Sequence, residues 1–175
     1  MVCSDNGCFI AVGGNLSPQD SIPAALHLLG KKCRLRQIST FYRTKAINRP
    51  EQPDYLNGVV HVEYSGDPRS LKFEVLRLIE DALGRVRTKD SYAARTIDLD
   101  ILLFGSLVIN EPGLVIPDPD ICCRPFLAAA LAELLPDCVL PGTTLKIEKT
   151  ITTDQREALV PDMPFTSVLR ERFLL

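Results

Sequence analysis

The stretch SLKFEVLRLIEDALGRVRTKDSYAARTIDLDILLF, residues 70–104, carries most of the information about the fold. Leu71, Val75, Leu76, Ile79 and Leu83 recur at three- and four-residue steps, which predicts an amphipathic helix. Gly84 follows as a natural C-terminal stop. At the other end, Ile97, Leu99, Ile101 and Leu103 share one parity, which predicts a strand over Ile97–Phe104 with a continuous apolar face. The apolar stripe of the helix needs a sheet to cover it.

Upstream, CFIAVG (Cys8–Gly13) is a short apolar run stopped by Gly13-Gly14-Asn15, and DSIPAALHLL (Asp20–Leu29) has helical spacing. RLRQISTFY (Arg34–Tyr42) is rich in β-branched and aromatic residues and predicts one strand. YLNGVVHVEY (Tyr55–Tyr64) predicts another, with Leu56, Val60 and Val62 on one parity, and the proline-bearing stretch from Thr44 to Asp54 between them reads as a loop. The order is βαββαβ. This predicts an α+β protein with a ferredoxin-like core, an antiparallel sheet with its helices on one face. Ser106–Pro119 follows as a hairpin and loop and Arg124–Leu135 as a C-terminal helix, leaving residues 143–175 as a polar extension to a domain of residues 1–142.

The chain has 175 residues, 46% hydrophobic and 24% charged, a globular balance rather than a disordered one. Folding a chain of this size buries roughly 70% of its unfolded surface, so one compact unit is expected. Its 20 Lys and Arg against 22 Asp and Glu leave a net charge of -2, which gives no general attraction to a polyanion and excludes nucleic acid as the expected partner. No secretory signal pattern and no stretch of about 18 apolar residues is present, so a cytoplasmic protein without a membrane partner is expected. The six cysteines show no CxxC pair and no metal-finger spacing, and reduced thiols are expected.

Asp98 and Asp100 are two apart on the predicted strand, so both carboxylates share the face opposite Leu99. Such a pair is either a solvated edge or a cradle for a hard cation, since Mg²⁺ takes one or two carboxylates together with substrate phosphates and water. The preceding GRVRTKDSYAAR, residues 84–95, has Arg85, Arg87, Lys89 and Arg95 against a single acid, Asp90. Alone it reads as a solvated loop. Beside the carboxylates it reads as a polyphosphate site, in which guanidinium groups hold phosphate oxygens in bidentate fashion. Tyr55 and Asn57 also share a strand face. A ring beside an amide is either a packing pair or a seat for a planar, nitrogen-rich heterocycle. Gly13-Gly14-Asn15 is either a plain turn or a phosphate cradle, and it lacks the Lys-Ser or Lys-Thr of a P-loop.

AVGGNL (Ala11–Leu16), STFYRT with EQPDYLN (within Ser39–Asn57), IEDALGRVR (Ile79–Arg87), RTIDLDILLFG (Arg95–Gly105) and IPDPDICCRPF (Ile116–Phe126) occur in that order. Together they resemble the 6-hydroxymethyl-7,8-dihydropterin pyrophosphokinase family, from about Phe9 to Pro141. The resemblance implies transfer of the β,γ-pyrophosphoryl group of ATP to the pterin hydroxymethyl oxygen, with release of AMP, in folate biosynthesis. It implies that Asp98 and Asp100 bind two Mg²⁺ ions and that Arg85 and Arg95 hold the transferring phosphates. Glu80, Arg87, Tyr92 and Arg124 would serve ATP. Tyr55 and Phe126 would flank the pterin, Thr44 and Asn57 would bond its edge, and the loop Lys45–Gln52 would close over it.

Four features depart from the family pattern, the first being Gly14 in place of the usual Ser of the first motif. Asp118 stands where the family usually has His, which predicts weaker nucleotide binding. Tyr92 replaces the usual Trp of the Arg loop, and Ala93-Ala94 replace Gly-Pro. Because the family's enzyme is in some organisms fused to dihydropteroate synthase, residues 143–175 are either the join to such a partner or an extension packed on the same domain. The contrasting function class is a catalytically silent ferredoxin-like module that binds a ligand or partner through its sheet. Such a module has no need for paired Asp beside an Arg cluster.

Overall fold

The structure is a computed structural model that describes residues 7–87, 90 and 93–174. Strand β1 (Gly7–Gly14) runs through the middle of a sheet, with β5 (Asp98–Phe104) on one side and β4 (Tyr55–Glu63) on the other, both antiparallel to it. Two short strands, β2 (Arg34–Ile38) and β3 (Tyr42–Thr44), pair with opposite ends of β4, and β8 (Val160–Pro161) pairs with β3. The order is β5-β1-β4-β3-β8 with β2 also on β4, so the protein is mixed α and β with an antiparallel sheet.

The single strand expected over Arg34–Tyr42 is divided into β2 and β3. Ser39 is the cause. It is fully buried, its N–H donates to Val59 O at 2.9 Å, and its Oγ accepts from Val59 N at 2.8 Å. The chain then turns out, and Thr40 N donates to Glu133 Oε2 at 2.9 Å. Phe41 returns to the core above Gly58, where an added Cβ would lie 2.6 Å from the ring.

One sheet face, with Ile10, Val12, Leu56, Val60, Val62, Leu99 and Ile101, packs on α1 (Pro18–Leu29) and on the helix expected after Ser70. That helix starts two residues early, as α2 (Pro68–Ser70), where Asp67 Oδ1 accepts from the N–H groups of Arg69 and Ser70. It continues through a π-helical stretch, Leu71–Leu76, into α3 (Arg77–Ala82). Gly84, at φ 78°, ends it as expected. Each fully buried Leu or Ile of the stripe contributes roughly 1.5–3 kcal/mol, which fixes the helix to the sheet.

Helices on one face only is too simple a picture. The hairpin of β6 (Ile109–Glu111) and β7 (Leu114–Ile116) leads through α4 (Asp120–Cys123) to α5 (Pro125–Leu134). Leu127, Ala130 and Leu131 of α5 cover the second face, over Phe9 and Val59. The extension then forms a 3₁₀ turn at Ile147–Thr150, α6 (Thr153–Glu157), β8 and α7 (Met163–Leu174). Helix α7 lies against β2 and α1. Thr166, fully buried, accepts from Phe41 N at 2.9 Å, and Arg170 Nε donates to Ile38 O at 2.9 Å.

Among the described residues, no helix is long and apolar enough to cross a membrane. Cys8, Cys33 and Cys138 are buried, and burial pushes the Cys33 thiol up to about 11.

Candidate active site

Strand register assembles the site. Gly13 pairs with Asn57 on β4 and with Asp98 on β5, while Ala11 pairs with Val59 and Asp100. Cross-strand partners share a face, as do residues two apart. Asp98, Asp100, Asn57, Tyr55 and Thr44, the β3 partner of Tyr55, therefore stand on one face, with only Gly13 and Ala11 between the two groups. The small floor is required, because a Cβ on Gly13 would lie 2.1 Å from Asn57 Oδ1. Above it lies a cleft of about 750 Å³. Its lining brings together Thr44, Tyr55, Asn57, Arg95, Asp98, Asp100, Arg124 and Phe126. Glu80, Arg85 and Arg87 are not in the lining, and Tyr92 lies outside the described residues.

Two guanidinium groups hold Asp98: Arg85 Nη1 donates to Oδ1 at 2.6 Å and Arg95 Nη1 to Oδ2 at 2.5 Å. Arg85 also donates to Ile97 O at 2.7 Å, which ties it to the strand entrance. Asp100 receives Lys72 Nζ at 3.2 Å, a contact the sequence reading missed because Lys72 is one of many polar positions on its helix. The Asp100 side chain is 44% exposed to the cleft. Even so, loss of water to the surrounding walls pushes its pKa up, Asp98 adds to the rise, and Lys72 opposes it.

Glu80 is 5% exposed and faces β5. Its Oε1 accepts from Leu99 N at 2.9 Å and its Oε2 from Arg87 Nη2 at 2.5 Å. Burial raises its pKa, while the Leu99 bond and the two arginines pull the other way. Glu80 thus pins the Arg loop to the strand that bears both aspartates, and Arg87 is further held by Asp81.

Asn15, 2% exposed, is a site residue that the sequence offers only as part of the Gly13-Gly14-Asn15 turn, with no role for its side chain. Its Nδ2 donates to Gln52 Oε1 and Pro53 O, both at 3.2 Å, and its Oδ1 accepts from Arg95 N at 2.9 Å. It joins the loop before Tyr55 to the backbone of Arg95. The N–H groups of Asn15 and Leu16 both donate to Arg95 O, at 3.0 and 3.2 Å, so the turn is committed to the loop rather than open to a phosphate. The only sequence signal was an Asn in a turn, since its partners lie 37 to 80 residues away.

At the other end, Asn57 Nδ2 donates to Thr44 Oγ1 at 2.8 Å, which fixes the amide between β3 and β4. Asp118 lines the cleft and accepts from Asp120 N at 2.8 Å. Burial, with Asp100 and Asp120 nearby, raises it to about 6. Asp120 is neutralised by Arg124 Nε at 2.7 Å.

Among the described residues, no group of three or more His, Cys, Asp and Glu converges to hold a metal unaided. Asp98 and Asp100 fit a hard cation that completes its shell with phosphate oxygens and water, and the strain on Asp100 is of the kind such a cation relieves.

The family model for 7,8-dihydro-6-hydroxymethylpterin-pyrophosphokinase (HPPK) matches residues 9–136. The chain belongs to this family. All five motifs that carried the resemblance, Ala11 to Phe126, fall within the HPPK match, and the extension lies beyond it. The 2-amino-4-hydroxy-6-hydroxymethyldihydropteridine pyrophosphokinase of Haemophilus influenzae is 37% identical over 143 residues, covering 80% of this chain and 88% of the relative. Its namesake from Synechocystis sp. is 33% identical over 162 residues, 91% of this chain and 82% of the relative. The folic acid synthesis protein fol1 of Pneumocystis carinii is 33% identical over 159 residues, 90% of this chain but 21% of that protein. A solved HPPK-DHPS in complex with substrates has the same fold, with a TM-score of 0.67 at 13% identity over 98% of this chain. This HPPK-family chain spans 45% of that longer one.

Proposed function

We propose that this chain is a Mg²⁺-dependent pyrophosphokinase that transfers the β,γ-pyrophosphoryl group of ATP to 6-hydroxymethyl-7,8-dihydropterin, in folate biosynthesis. The observation that carries the reading is one sheet face on which Asp98 and Asp100, beside Arg95, share a cleft with Tyr55, Asn57, Thr44 and Phe126, in a chain of this family. The strand order, with β1 between β5 and β4, supports a ferredoxin-like core. Residues 1–142 are the catalytic domain and residues 143–175 its extension. The HPPK-DHPS relatives support a dihydropteroate synthase as a fused or associated partner.

Asp98 and Asp100 hold Mg²⁺, two ions by family likeness, which when bound would neutralise the triphosphate and polarise the attacked phosphorus. Arg85 and Arg95 supply guanidinium charge next to these carboxylates, and Arg124 and Arg87 serve the nucleotide. Glu80 acts as the brace of the Arg loop. Tyr55 and Phe126 sandwich the pterin, and the Asn57–Thr44 pair reads its edge. The hydroxymethyl oxygen bonds to the β-phosphorus as the bond from that phosphorus to the α,β-bridging oxygen breaks. AMP leaves and the hydroxyl proton is released. Catalysis of this kind is positioning and charge stabilisation, with no covalent enzyme intermediate. The test is to identify the nucleotide formed from MgATP and the pterin alcohol. AMP supports the proposal, and ADP or intact ATP contradicts it.

A further inference from the structure

The extension, outside the span of the family match, reaches the cleft: Gln155, Ala158 and Leu159 belong to its lining. Three attachments hold this segment in place. At the start of α6, Thr152 Oγ1 accepts from Gln155 N at 3.2 Å, and Gln155 Oε1 accepts from Thr152 N at 3.0 Å. This reciprocal cap engages the Gln155 side chain. Leu159 packs on Ala128, Ala129 and Ile151, next to α5. Beyond it, β8 pairs Val160 with Arg43 and Pro161 with Tyr42, and Asp162 Oδ2 meets Arg43 Nη2 at 2.5 Å. Arg43 directly precedes Thr44, whose hydroxyl accepts from Asn57. The segment is thus stitched to the strand that presents the Thr44–Asn57 pair.

Ala158 is exposed, at the C-cap of α6, with ordinary helical dihedrals of φ -76° and ψ -8°. It lines the cleft and belongs to none of the core clusters.

We propose that residues 155–159 form a wall of the acceptor end of the cleft, and that Ala158 and Leu159 set the size of the heterocyclic alcohol admitted there. The inference rests on the pyrophosphokinase reading, which assigns that end to the pterin. Ala158→Phe fills the cleft from an exposed position and spares the fold. Its KM for 6-hydroxymethyl-7,8-dihydropterin rises about tenfold, the scale of steric discrimination in a small pocket. The KM for ATP and the melting temperature stay at wild-type values. Leu159→Ala also raises the pterin KM and leaves the KM for ATP unchanged, with a lower melting temperature because Leu159 packs on Ala128, Ala129 and Ile151 as well. Glu157→Phe, with the same bulk outside the lining, leaves both KM values unchanged.

An unchanged pterin KM in Ala158→Phe, with AMP still formed by the wild type, overturns this inference alone. So does a parallel rise of both KM values with a lower melting temperature, which marks a structural role. No AMP from the wild-type chain overturns this inference and the pyrophosphokinase reading together.

Discussion

Asp98 is shared by Arg85 and Arg95, whereas among the described residues Asp100 is met by Lys72 at 3.2 Å, and the two should respond differently to removal. Asp98→Ala leaves two guanidinium groups, 14% and 18% exposed, without their common counterion, so it lowers the melting temperature as well as turnover. Asp100→Ala removes a carboxylate whose charge is already disfavoured, so the melting temperature holds. Both variants lose turnover by about a hundredfold or more, since the charge they supply acts on the reacting phosphates. AMP formation alongside thermal melting checks this, and a wild-type rate in either variant removes that residue from the site. Asp118 gives a pH-dependent outcome. Its pKa rises from 3.8 to about 6 on folding, so the folded state holds the proton more tightly. Stability from that proton is present below pH 3.8 and is lost as the pH rises through about 6, a cost of up to about 3 kcal/mol above it. Asp118→Asn keeps the acceptor for Asp120 N and removes the charge. Urea unfolding without metal or nucleotide should find it more stable than wild type at pH 7.5, by about 1–3 kcal/mol, with the gap closing toward pH 4. An equal gap at both pH values would contradict the burial of that carboxylate.

Helix α7 is fastened through polar groups as much as apolar ones. Thr166 Oγ1 accepts from Phe41 N at 2.9 Å and donates to Asp162 O at 2.8 Å, both buried. Thr166→Val keeps the shape and strands the Phe41 N–H, a loss of about 1–3 kcal/mol in urea unfolding. Unchanged stability would mean that α7 does not hold the junction between β2 and β3. This helix also shows where the sequence became hard to read. Its only buried side chains are Thr166 and Leu169, too few to set a period, and α6 buries none. By contrast, β5 and the helix ending at Gly84 are legible because Ile97, Leu99 and Ile101 face the same core as the helix stripe, although a register shift at Phe9/Ile10 turns Leu103, expected on that face, to the other core. The break at Ser39 escaped notice because it depends on a hydroxyl bonded to Val59, 20 residues away. The Asp98–Asp100 pair and the Tyr55–Asn57 pair were legible by parity alone. What joined them, Gly13 as floor and Asn15 as tie, needed the register of β1 between β4 and β5.

A net charge of -2 gives the molecule no bulk pull on phosphate, so the affinity for ATP has to come from local arrangement. The sheet places the carboxylate strand on one side of β1 and the Tyr55–Asn57 strand on the other, so the proposed nucleotide and pterin ends of the cleft are one strand apart. The extension, tied to β3 through β8, adds Gln155, Ala158 and Leu159 to the lining of the same cleft. The account stands or falls on which bond of ATP is broken. The purified chain, given MgATP and 6-hydroxymethyl-7,8-dihydropterin, should yield AMP and the pterin diphosphate in equal amounts by chromatography. ADP as the nucleotide product, or ATP left intact, would contradict it.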